Sequence, residues 1–114
     1  QIDVSVAEIK RLDDLVVNLN LVSLDIIKID IEGFEVAFMD GAKDTIDRFK
    51  PIIVSELSSQ NLESQGQDIL SFYEILVKYG YSRFVDVHTG EKFNFDKAIS
   101  TTEVIETDIA CYIQ

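Results

Sequence analysis

Apolar residues recur along this chain in two rhythms, one helical and one extended. Leu12, Leu15, Val16 and Leu19 fall at helical spacing and predict a short amphipathic helix. Asn18, Asn20 and Ser23 punctuate the chain before Ile26-Ile27-Lys28-Ile29-Asp30-Ile31, a β-branched run short enough for a buried strand, which stops at Glu32-Gly33. Phe34, Phe38, Ala42, Ile46 and Phe49 then form a nearly regular stripe that predicts a helix, broken or bent near Gly41 and ended by Pro51. Ile52 to Leu57 is a second buried-strand candidate, followed by a polar loop from Ser58 to Gln67. Ile69, Phe72, Tyr73, Leu76 and Val77 mark another amphipathic helix, closed by Gly80. Strand chemistry returns at Tyr81 to Val87 and at Asp108 to Ile113, joined by a turn-rich stretch containing Thr89-Gly90 and Asn94. A weak alternation from Ile2 to Val6 predicts one further short strand at the start.

Strand, helix, strand, helix, strand is the pattern of a parallel sheet with right-handed crossovers. Two final strands without a helix between them predict one antiparallel partner. The expected architecture is therefore α/β, half of a doubly wound sheet, mostly parallel with one antiparallel strand. At 114 residues the chain forms one unit with a single core.

Composition narrows the partners. With 46% apolar residues and a single proline, the chain is far from the polar, charge-dominated make-up of disordered segments. A net charge of −11 has the wrong sign for a phosphate backbone or an anionic membrane, so neither nucleic acid nor membrane is an expected partner. Cys111 is the one cysteine, which rules out an intramolecular disulfide or a thiolate zinc cluster and suits a reducing, cytoplasmic setting. No apolar run reaches the roughly 18 residues of a membrane span. The opening at Gln1, without methionine, predicts a fragment or a processed product.

In open α/β sheets, ligands bind beyond the carboxyl ends of the strands. Those ends are Asp30 to Gly33 and Glu56 to Ser58. Lys28 and Asp30 share one face of their strand, ~7 Å apart at ~3.3 Å rise per residue. A charge in an apolar strand must be paired or reach water, so the two either neutralise each other or carry chemistry. Glu32 and Glu35 lie near the start of the next helix, where the helix dipole favours negative charge, and Gly33 permits the sharp turn. Glu56 ends the second strand, and its carboxylate can approach that of Asp30 across a strand spacing of ~4.8 Å. Like charges that close raise a pKa or attract a metal. His88 stands alone near a turn and is assigned no role. No Gly-rich phosphate loop and no nucleophile elbow occurs anywhere in the chain.

Leu12-Asp13-Asp14-Leu15, Asp25 to Glu35 with its Lys-Ile-Asp-Ile-Glu-Gly core, Asp40-Gly41-Ala42, and Lys50-Pro51 through Glu56-Leu57 together resemble the FkbM methyltransferase family. The resemblance implies the C-terminal half of a class I, Rossmann-like methyltransferase sheet. Residues 1–114 would be a single partial domain, its strands the fourth to seventh, without the glycine-rich first half that holds the cofactor. It further implies S-adenosylmethionine as methyl donor and a hydroxyl on a small molecule, a sugar or a secondary metabolite, as acceptor. On that reading Asp30 is the leading catalytic residue, with Lys28 and Glu32 beside it, and Glu56, Ser58 and Gly33 bound the acceptor site. The chain alone would be inactive.

Two other readings come from different classes. Asp30-Ile31-Glu32 after an apolar strand imitates the acidic metal motif of nucleotide-sugar glycosyltransferases. A non-enzymatic module that acts only by sheet pairing, with self-association through an exposed edge of the strand Ile26 to Ile31, is the third.

Overall fold

The computed structural model describes residues 11–113, so the strand expected between Ile2 and Val6 lies outside the described part. The described elements run α1 (Leu12–Asn18), β1 (Ile26–Ile29), α2 (Glu35–Asp40), α3 (Lys43–Phe49), β2 (Ile52–Ser58), α4 (Ser59–Ser64), α5 (Ile69–Lys78), β3 (Tyr81–Asp86), α6 (Phe95–Ser100) and β4 (Glu106–Ile113).

The strands form one four-stranded sheet in the order β1-β2-β4-β3. β1 pairs with β2 in parallel, in the register Ile27↔Ile53 and Ile29↔Ser55. β4 pairs antiparallel with β2 on one side and with β3 on the other. The expectation of a mostly parallel sheet is thereby corrected, since only the β1–β2 ladder is parallel. The cause is position: the one reversed strand is interior, so it makes both of its ladders antiparallel.

Alternation divides the sheet into two unlike faces. Ile27, Ile29, Ile53, Leu57, Ile109, Cys111 and Phe84 share one core with Met39, Ala42 and Ile46 of the α2–α3 segment, Leu62 of α4, Phe72 and Leu76 of α5, and Phe95 and Ala98 of α6. On the opposite face Ile26, Lys28 and Asp30 are exposed, and Val54, Glu56, Asp108 and Tyr112 are half-buried. Tyr81 begins β3 inside the core, where its hydroxyl donates to the carbonyl of Pro51 at 2.6 Å. That bond fastens the start of β3 to the start of β2.

The stripe from Phe34 to Phe49 breaks at Gly41 as expected, into two helices, because Gly41 and Ala42 leave the helical path; the amide of Asp13 then donates to the carbonyl of Gly41. Two expectations are corrected in detail. The polar stretch after β2 is helix α4, started by Ser58, whose hydroxyl accepts from the amide of Asn61. A helix, α6, also lies between the last two strands, capped by Asn94, whose side chain accepts from the amide of Lys97. Its apolar side, with Phe93 just before it, closes an aromatic cluster of Tyr73, Phe84, Phe93 and Phe95 with ring centroids 4.6 to 5.8 Å apart.

The Asp13 carboxylate supplies a cap from a distance. Helix α3 has no side-chain cap of its own at Ala42. Asp13, on α1, instead accepts from the amides of Asp44 (3.1 Å) and Thr45 (2.9 Å) and from the Thr45 hydroxyl (2.6 Å). Partial burial alone would raise this carboxyl, but those bonds and the nearby Arg11 hold it below its ordinary value.

Candidate active site at the strand ends

β1 ends at Ile29, two residues earlier than its apolar run suggested, because the next residues turn sharply. Glu32 takes a left-handed backbone (φ 52°) and Gly33 a φ of 102°. Gly33 is also where this loop presses on α4: a Cβ there would come within 2.1 Å of the carbonyl oxygen of Asn61. The tightness of that contact requires glycine twice over, by conformation and by space.

Glu35 locks the same turn. It opens α2 with its side chain 2% exposed, and both carboxylate oxygens accept from the Gly33 amide at 3.1 and 3.0 Å. Burial raises its pKa against the lowering effect of those bonds. The helix-start reading of Glu35 thus has a concrete partner.

The turn leaves Asp30 exposed at the end of β1. Ile29 is in register with Ser55, so the next residues, Asp30 and Glu56, stand side by side on the face away from the core. The two carboxyls come within reach of one shared hydrogen bond. The pKa of Glu56 is pushed up to about 7 by that bond first, then by burial and by the negative charges of Asp30, Asp108 and Glu35. The Asn61 amide nitrogen also lies 3.5 Å from Oε1 of Glu56. The approach of the two carboxyls expected from strand spacing is present.

Beyond these strand ends opens a cleft of about 530 Å³, lined by Asp30, Ile31, Glu32, Phe34, Asn61 and Gln65 among others. Beside it runs an apolar groove of about 590 Å³ that includes Leu12, Ile31, Phe34 and Phe38. Phe34, 52% exposed, borders both.

The remaining sequence candidates fall in different places. Lys28 is exposed on the same face as Asp30, and it reaches water rather than forming an ion pair with that residue. Glu32 lines the cleft. Ser58 is buried and engaged in capping α4, and Gly33 is buried under α4. Among the described residues no group of three or more His, Cys, Asp or Glu side chains is arranged to hold a metal ion. No described helix is long and apolar enough to cross a membrane.

Two residues near the site went unassigned in the sequence. Asp108 faces Glu56 directly across the β2–β4 ladder. His88, in the turn after β3, brings Nε2 to 2.8 Å from Oδ2 of Asp108. The β3–β4 pairing that joins them spans a long connection and leaves no local signal.

One comparison with known proteins agrees with the motifs. No curated protein and no solved structure matches the chain. The family model described as the methyltransferase FkbM domain matches residues 1–83, from before α1 to the first half of β3. The match takes in β1, the Gly33 turn, α4 and β2, all the elements that bring Asp30 and Glu56 together. The chain belongs to the FkbM methyltransferase domain family.

Proposed function

We propose that this chain forms the acceptor side of an S-adenosylmethionine-dependent O-methyltransferase, which acts on a hydroxyl of a small molecule or sugar. The observation that carries the reading is Asp30, which lines an open cleft, set beside Glu56 at the carboxyl ends of adjacent parallel strands, in a chain of this family. Its location in the cytoplasm, from its cysteine usage, belongs to the same proposal.

The described residues fit one end of the cofactor. A rim of carboxylates, Asp30 and Glu32, suits a sulfonium cation and repels a phosphate, and the half-exposed ring of Phe34 offers a flat apolar face to a purine. Nothing like a glycine-rich loop is present for the rest of the molecule. The proposal therefore includes a cofactor-binding first half joined to these strands in the active protein.

S-adenosylmethionine supplies an electrophilic methyl group when bound. Asp30 would accept the hydrogen bond of the acceptor hydroxyl, aim its oxygen lone pair at that group, and take the hydroxyl proton as the methyl passes from sulfur to oxygen, one S–C bond lost for the O–C bond gained. Glu56 and Glu32 flank it, Glu56 as a donor to Asp30 and Glu32 as an acceptor at the cleft wall. Lys28, exposed two residues upstream on the same face, reaches toward the rim without neutralising Asp30.

The test is Asp30→Asn in the protein carrying the cofactor-binding half, assayed by transfer of labelled methyl to candidate hydroxyl acceptors. Turnover should fall by roughly 10²-fold or more with the fold intact. A folded variant with unchanged turnover would remove Asp30 from the chemistry.

A further inference from the structure

The outward face of the sheet carries more than the Asp30–Glu56 pair. Glu56 is directly opposite Asp108 in the antiparallel ladder, which places their Cβ atoms about 5 Å apart. Asp108 in turn meets Nε2 of His88 at 2.8 Å. Asp30, Glu56, Asp108 and His88 thus form a row across β1, β2, β4 and the turn after β3, perpendicular to the strands.

The far end of this row is built, although His88 itself is 64% exposed. Oδ1 of Asp86 accepts from the amides of His88 (2.9 Å) and Thr89 (3.2 Å), and its Oδ2 accepts from the Thr107 hydroxyl at 3.0 Å. The amide of Val87 donates to the carbonyl of Asp108 at 2.9 Å. These bonds fix the turn on β4 next to Asp108, so the imidazole is presented to that carboxylate by the backbone.

The geometry points to Glu56 as a positioning residue that works in its protonated form, donating to Asp30, with Asp108 and its partner His88 setting how firmly that proton is held. This inference rests on the proposed role of Asp30. A carboxyl donor beside a carboxylate acceptor holds the latter in one orientation, whereas two ionised carboxylates at strand spacing repel each other and turn apart. The groups facing Glu56 are Asp30 from β1, Asp108 from β4, Glu35 from α2 and the neutral amide of Asn61 from α4. Three of the four are acidic, and the imidazole of His88 reaches Glu56 only through Asp108.

That arrangement fixes signs. Removing the charge of Asp108 weakens the hold on the Glu56 proton, and removing the His88 ring takes away the 2.8 Å partner of Asp108 and strengthens it. Carboxyl carbon shifts of Glu56, followed by NMR through a pH titration of this chain, read the effect without any activity. The expected midpoint is about 7 in the unsubstituted chain, lower in Asp30→Asn and in Asp108→Asn, and higher in His88→Gln. A midpoint in the ordinary glutamate range, or one that Asp108→Asn leaves in place, would overturn the inference.

A second arm uses methyl transfer by the protein carrying the cofactor-binding half. Glu56→Gln, a permanent donor, should lose the fall in rate as pH rises through about 7. Glu56→Ala should lose turnover at every pH. Equal pH profiles for Glu56→Gln and the unsubstituted protein would overturn the inference. Absence of methyl transfer in the unsubstituted protein would sink the proposed function instead, with the NMR midpoints still deciding whether the row sets the Glu56 proton.

Discussion

Asp13→Ala should be among the more damaging single changes outside the core, although Asp13 touches neither strand nor cleft. Its carboxylate holds two amides and one hydroxyl at the start of α3. Removing a cap of this kind costs about 0.5–2 kcal/mol. Thr45 is buried, so its hydroxyl and amide lose their partner in a place that water reaches poorly, which adds about 1–3 kcal/mol. Since the two contributions overlap, a total of about 2–3 kcal/mol is expected, or about 10–15 °C in Tm at roughly 5 °C per kcal/mol. The sign with pH is fixed by the depressed pKa of Asp13. Its contribution is present above the unfolded value, near 3.8, and is lost as pH falls through the lower folded value. Urea unfolding of the two proteins between pH 3 and pH 7 should therefore show a gap at neutral pH that narrows toward pH 3. Thr45→Val in the Asp13→Ala background should recover part of the loss, because the stranded hydroxyl is gone. A loss below about 0.5 kcal/mol, or a gap constant across that pH range, would refute the capping account.

Two further changes probe the fold around the site. Gly33→Ala should destabilise by more than about 2 kcal/mol and disturb α4, since its Cβ would fall 2.1 Å from the Asn61 carbonyl; calorimetry with amide shifts of residues 59–64 checks this. Tyr81→Phe should cost about 1–3 kcal/mol by leaving the buried Pro51 carbonyl without its 2.6 Å partner, measurable by chemical denaturation, and an unchanged midpoint would show that the carbonyl finds another donor.

What could be read from sequence was whatever depends on near neighbours. The β-branched runs Ile26 to Ile31 and Ile52 to Leu57 announced β1 and β2, and the stripe from Ile69 to Val77 announced α5, because burial on one side imposes a period. Gly41 marked the break between α2 and α3 for the same local reason. Helices α4 and α6 were hidden because each has only six residues, and capping residues such as Ser58 and Asn94 equally announce turns. At the site, the approach of Asp30 to Glu56 followed from strand spacing once β1 and β2 were taken as neighbours. The place of Ser58 and Gly33 did not follow, since it depends on how α4 folds back over the β1–α2 turn. Asp108 and His88 were invisible for a larger reason: their relation to Glu56 is created by the order of strands, which no local window records.

The interior position of β4 has a consequence for the order in which the molecule is made. β4 is the last of the described strands to be synthesised, yet β2 and β3 touch each other only through it. Until residues 106–113 emerge, β2 presents a bare edge and β3 has the short bridge at Lys92 in place of a full ladder. Closing the β2–β4 ladder also means spanning some fifty residues, from Ser58 to Glu106, an entropic demand that local helices do not share. Helices α1 to α5 are thus free to form early around an unfinished sheet. The nascent chain carries an apolar strand edge from the emergence of β2 until β4 arrives, which seals that edge and seats Asp108 opposite Glu56 in one event.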